Sequence, residues 1–173
     1  MRALVIYESM FGNTRTIAEA IGAGLAERMP AEVSEVGVAP EELPGDVSLL
    51  ILGGPTHAFG MSRPSTREGA AAQAGHPVVS AAIGQREWLE RAQLPARISV
   101  ATFDTRTGPH WYTGSAARRA ERCLTRLGGR RLLEPESFFV RATPGPLGDG
   151  EQERAHQWGL NLADRHLAER ALT

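Results

Sequence analysis

The chain has 173 residues, 42% of them hydrophobic, and a formal net charge of −1. That length suits one domain, residues 1–173, with a sizeable core, and the near-zero charge argues for neither nucleic acid nor a membrane surface as partner. All 19 basic residues are arginine, and Cys123 is the only cysteine, which excludes an intrachain disulfide and a cysteine-based metal site.

In chain order, Leu4-Val5-Ile6-Tyr7 is an apolar run too short for a helix and suited to a buried strand. An amphipathic helix follows, with Ile17, Ile21 and Leu25 on one face, ending near Arg28-Met29-Pro30. Between strand and helix lies Glu8-Ser9-Met10-Phe11-Gly12-Asn13-Thr14. A strand, a hydroxyl-rich turn and a helix N-terminus together make a site for a phosphate monoester. First-turn N–H groups have no intrahelical partner, and the helix dipole favours an anion there. Ser9 and Thr14 supply hydroxyl donors, and Gly12 lets the backbone approach closely. A Walker A loop requires lysine, and the chain has none; the dinucleotide fingerprint is also absent after the first strand.

Glu32 to Val38 alternates weakly as a second strand, and Pro40 to Asp46 is an acidic connection. Val47 to Leu52 is the most hydrophobic run, a central strand buried on both faces that stops at Gly53-Gly54-Pro55. The loop Thr56 to Pro64 leads into a helix capped by Ser65 or Thr66; residues 74–84 carry no clear pattern, and Gln85 to Ala92 is helical. Arg97 to Phe103 forms a fourth strand, followed by a loop from Asp104 to Gly114 and a helix from about Ser115 to Leu127. Leu132-Leu133 and Ser137 to Val140 read as one strand interrupted at Pro135, which suits an edge. A turn from Thr143 to Gly150 precedes a final helix with Ala155, Trp158, Leu162 and Ala163 inward. No run is long and apolar enough to span a membrane, and strand residues begin at Ala3, so a soluble cytoplasmic protein is expected.

Strands alternating with helices predict a doubly wound parallel α/β sheet with helices on both faces. Ligands of such sheets bind beyond the carboxyl ends of the strands. The loops least like simple connectors follow the first, third and fourth strands.

The pattern S-x-x-G-x-T-x-x-x-A, from Ser9 through Gly12 and Thr14 to Ala18, resembles the FMN-phosphate signature of the flavodoxin family. The resemblance implies a flavodoxin-like five-stranded sheet of order 2-1-3-4-5, which sets those three loops side by side. It also implies FMN as cofactor, with Ser9, Met10, Phe11, Gly12, Asn13 and Thr14 around the phosphate. The second loop then contributes Pro55, Thr56, His57, Phe59 and Gly60 to the ring, and the third Phe103, Asp104, Thr105, Arg106 and Trp111. Phe59 is the wall candidate on one side; Trp111 and Tyr112 compete for the other. Phe103 also reads as the end of its strand. Gly60 is placed where a loop glycine turns its peptide towards flavin N5 in flavodoxins.

Electron-carrier flavodoxins of the familiar kind are strongly acidic, whereas this chain is near neutral and carries Arg63, Arg67 and Arg106 in or beside the ring loops. A guanidinium at the N1–O2 edge stabilises negative charge on the ring, and Arg106 is the first candidate. Asp104 either orients Arg106 or caps the following turn. His57 is a structural histidine or a proton donor, and the other histidines show no metal-ligand spacing. Three functions follow: an FMN redox protein passing electrons between cellular partner proteins; an NAD(P)H or quinone oxidoreductase with the same cofactor; or a flavodoxin-fold binding module without FMN. A monomer or weak homodimer is expected.

Overall fold

The computed structural model describes residues 1–57, 60–75, 77–108 and 114–172. In chain order the elements are β1 (Arg2–Tyr7), α1 (Asn13–Ala26), β2 (Ala31–Glu35), β3 (Val47–Pro55), α2 (Pro64–Ala74), α3 (Gln85–Arg91), β4 (Ser99–Thr107), α4 (Ala116–Arg126), β5 (Arg130–Arg131), β6 (Glu136–Val140) and α5 (Glu151–Ala171). The strands form one parallel sheet in the order β2-β1-β3-β4-β5, with β6 also paired to β4. This is the predicted flavodoxin-like order. The fifth position is a broken edge: β5 pairs with the start of β4 and β6 with its end, and Leu132–Pro135 lies between them. Pro135 has no N–H to give a ladder, so the break falls where it costs least.

The continuous apolar runs of β1 and β3 arise because both sheet faces are covered. Ala3, Val5, Tyr7, Leu49 and Ile51 point to the face packed by α1 and α5. Leu4, Ile6, Leu50 and Leu52 point to the face packed by α3 and α4. Ile17, Ile21 and Leu25 of α1, and Ala155, Leu162 and Ala163 of α5, are fully buried between helix and sheet, with Trp158 nearly so. The two helices touch at glycines: a Cβ on Gly24 would lie 2.1 Å from the His156 carbonyl oxygen, and one on Gly159 would lie 2.3 Å from that of Ile21.

Several boundaries differ from expectation. β2 ends at Glu35, whose carboxylate accepts the Gly37 N–H and turns the chain. α2 begins at Pro64, with Arg63 rather than Ser65 or Thr66 at the cap position; proline supplies the first helical residue without losing a useful donor. The Thr66 hydroxyl still accepts the Arg63 N–H at 2.9 Å. β3 continues through Gly53-Gly54 to Pro55, and β4 starts at Ser99 and continues past Phe103 to Thr107. The glycines explain the extension, because a Cβ on Gly53 would meet the Phe103 ring at 2.1 Å. Asp104, Thr105 and Arg106 are therefore strand residues with fixed directions.

Candidate functional site

The first loop is built from the end of β1. Gly12 caps α1 with φ of 94°, a left-handed conformation that costs other residues strain, and no side chain caps the helix from that position. The first turn of α1 has no acidic residue. The Ser9 hydroxyl accepts the Gly12 N–H at 3.1 Å and the Arg15 N–H at 3.4 Å. Two residues outside the motif hold the loop in place. Ser80, from the stretch without sequence pattern, accepts the Ser9 N–H on its hydroxyl at 3.0 Å and donates its own N–H to the Ser9 carbonyl at 2.8 Å. Asn13 donates its side-chain amide to the Pro144 carbonyl at 2.6 Å, tying the first loop to the turn after β6.

The ends of β3 and β4 are joined by Asp104. Its Oδ2 accepts from the Thr56 hydroxyl (3.0 Å), the Ser115 hydroxyl (2.6 Å) and the Ala117 N–H (3.1 Å). Thr56 in turn accepts the Ala116 N–H at 2.9 Å. Asp104 is thus the anchor for the start of α4. Its other oxygen faces Arg106 Nε at 4.0 Å. Arg106 is largely buried, donates to the Gly114 carbonyl at 2.9 Å, and stacks its guanidinium 5.9 Å from the Phe139 ring centre. Of the two expected roles, Asp104 takes that of capping the following turn; at 4.0 Å its Oδ1 makes no hydrogen bond with Arg106.

In the second loop, His57 and Gly60 exchange backbone hydrogen bonds of 2.7 and 2.9 Å. Burial, reinforced by the Arg67 guanidinium, holds the His57 imidazole below its ordinary value, so it is neutral near pH 7. Arg67 is not a solvated loop arginine. It is buried, pairs with Glu87 at 3.0 Å and donates to the Ser62 hydroxyl at 2.9 Å. Beside it, burial pushes the Glu8 carboxyl above the usual carboxylate range, although Glu8 accepts the Gln85 N–H at 2.8 Å.

These elements surround a cleft of about 420 Å³ at the carboxyl ends of β1, β3 and β4, within the span of roughly 300–1,000 Å³ usual for small-molecule sites. Ser9, Met10, Phe11, Asn13, Thr14, Pro55, Thr56, His57, Thr105 and Arg106 all line it. Gly12, the helix cap, and the buried Asp104 are not among the residues that line it. Phe103 points away: its ring is fully buried in edge-to-face contact with Phe138 and Trp158, at 6.1 and 6.4 Å between centres. Gly60 sits under the Arg119 side chain. Phe59, Trp111 and Tyr112 lie outside the described residues.

Sequence reasoning missed two walls. Thr66, Gly69, Ala70 and Gln73 of α2 line the cleft, as do Val140, Ala142, Thr143 and Pro144. The α2 positions repeat at helical spacing and are small or polar, and Ala70 among them also packs against Met10 and Val78.

The donor set suits a phosphate-bearing ligand. The start of α1, with no acidic residue in its first turn, meets the cleft beside the hydroxyls of Ser9, Thr14 and Thr105. No group of His, Cys, Asp and Glu among the described residues is arranged to hold a metal ion. Among those residues, too, no helix is long and apolar enough to cross a membrane.

No family model and no curated protein matches this chain. Solved structures do. A flavodoxin from Bacillus cereus superposes with a TM-score of 0.68 at 18% identity, covering 95% of this chain and 98% of that one. A flavodoxin from the domain Archaea gives 0.66 at 17% identity, with 96% and 99% covered. A WrbA-like protein from Agrobacterium tumefaciens gives 0.60 at 16% identity, with 96% and 98% covered. The chain has the fold of these proteins along nearly its whole length.

Proposed function

We propose that the chain binds FMN in this cleft and acts as a redox protein, passing electrons between cellular partners. The observation that carries the proposal is the convergence of the Ser9–Thr14 loop, the Pro55–His57 segment and Thr105–Arg106 on one cleft at the carboxyl end of a flavodoxin-like sheet. FMN supplies the redox chemistry when bound; the chain supplies position, exclusion of water and electrostatics. Ser9, Thr14 and the first-turn amides of α1 hold the phosphate. Thr56, His57 and Arg106, which line the cleft beyond that loop, would flank the ring system. Arg106 would stabilise negative charge at the ring edge, its guanidinium being held by the Gly114 carbonyl.

The test is the visible spectrum of the purified protein, with FMN added to any colourless preparation. The proposal predicts a flavin spectrum and stoichiometric uptake with quenched fluorescence. A folded protein that takes up no FMN overturns it and leaves a binding module.

A second reading, an NAD(P)H or quinone oxidoreductase with the same cofactor, is favoured by the fixed Arg106 cation on the cleft wall, which suits an anionic or carbonyl-bearing substrate. Reduction of a quinone by NAD(P)H without added reductase decides for it; absence of turnover decides for the carrier.

A further inference from the structure

α4 turns Ala116, Ala117, Ala120 and Leu124 inward. At about 100° per residue, Arg118, Arg119, Arg122 and Arg126 fall within roughly 100° of the opposite side, along about 12 Å of helix. All four are exposed. Local stability does not account for them. Arg118, Arg122 and Arg126 are like charges four apart, a destabilising spacing. Arg118 and Arg119 also lie in the first turns, where the helix dipole opposes cations. The helix's one acid, Glu121, turns to Arg131. Among the described residues none of the four is ion-paired, whereas Arg15, Arg28, Arg91, Arg130 and Arg165 all are.

The stripe begins at the cleft. Asp104 and Thr56 fix the start of α4 to the strand ends that line the site. Arg119 lies across Gly60 of the second loop, where an added Cβ would meet its Cδ at 2.6 Å.

We propose that this face of α4 is the docking surface for an acidic redox protein, whose carboxylates pair with the arginine row and whose redox centre is thereby brought to the rim of the cleft. The inference rests on the FMN redox reading and names the partner's chemistry. A protein fits better than a polyanion. The patch is one short helix on a chain of net charge −1, which suits the small contacts of transient redox pairs, below about 1,200 Å², and charge complementarity that steers encounter.

The experiment measures fluorescence anisotropy of a labelled, strongly acidic [2Fe–2S] ferredoxin, used as probe, against the protein with and without added FMN. The variant is Arg118→Gln/Arg122→Gln/Arg126→Gln; Arg91→Gln/Arg165→Gln, on other surfaces, is the control. The expected result is binding that weakens about tenfold or more when salt rises from about 20 to 200 mM. The triple variant loses binding to a similar extent, the control keeps it, and both bind FMN as the parent does. Unchanged ferredoxin binding by the triple variant, with FMN binding intact, overturns the docking face alone. Tighter, stripe-dependent binding of double-stranded DNA or phosphatidylserine vesicles overturns the choice of a protein partner. Stripe-dependent ferredoxin binding by a protein that takes up no FMN supports the face and overturns the cofactor reading.

Discussion

The hydroxyls of Thr14 and Thr105 lie 2.7 Å apart, although the residues are separated by 91 positions in the chain. One belongs to the first turn of α1 and the other to β4, so the pair locks the Ser9–Thr14 loop to the strand that carries Arg106. The two halves of the cleft are thereby held in one register.

Replacing Thr14 by Val keeps the shape of the side chain and removes its hydroxyl from Thr105 and from the phosphate of FMN bound as proposed. A hydrogen bond to a charged group contributes about 1.5–3 kcal/mol, so FMN affinity should fall by roughly 10- to 150-fold in a fluorescence-quenching titration. Affinity equal to the parent's would remove Thr14 from the phosphate site.

Arg106 tests the electronic role of the cleft. Arg106→Gln keeps much of the length and removes the charge, so the flavin's reduction potential should fall. With about 1–3 kcal/mol of charge stabilisation lost, a two-electron couple shifts by roughly 20–65 mV, readable by spectroelectrochemical titration. An unchanged potential means that Arg106 serves only to hold Gly114.

Asp104 concerns stability rather than chemistry. Asp104→Ala leaves Thr56, Ser115 and the Ala117 N–H without their common acceptor and the largely buried Arg106 without its carboxylate. Breaking a buried charged partner costs about 3–5 kcal/mol. Urea denaturation should show a loss of that order, and a loss below about 1 kcal/mol would contradict the anchoring role.

Glu8 makes stability depend on pH. Burial raises its carboxyl above the model-compound value of 4.5, so between that value and the raised one the folded state holds a proton that the unfolded state has released. Its contribution is complete below about pH 4.5 and is lost as pH rises through the raised value. Glu8→Gln removes that loss. The stability of the variant relative to the parent should therefore climb in thermal melts as pH rises above 4.5. A difference independent of pH would show that Glu8 ionises as an ordinary carboxylate.

Much of this was legible in the sequence because local rules and global fold agree there. The run Leu4–Tyr7, the glycine at position 12 and the fourfold spacing of Ile17, Ile21 and Leu25 specify one supersecondary unit with little ambiguity. Ser115 likewise marks the start of α4, and its hydroxyl accepts the Arg118 N–H at 3.1 Å. What was hidden depends on distant partners. Asp104 looks like the start of a loop, because the hydroxyl donors that let a carboxylate sit in a buried strand come from the distant Thr56 and Ser115. Ser80 lies in a stretch without periodicity, and its role appears only when that stretch folds back 71 positions onto Ser9. The α2 wall escaped notice because Gly69 and Ala70 carry no chemistry of their own; their smallness is what leaves room.

Two titrations of the same folded protein, one with FMN and one with riboflavin, test the phosphate site most directly. The two ligands share the ring system and differ in the phosphate. If the Ser9–Thr14 loop is a phosphate site, two or more charge-assisted hydrogen bonds are lost with riboflavin, and FMN should bind at least about 100-fold tighter. Equal affinities, or no binding of either flavin, would contradict it.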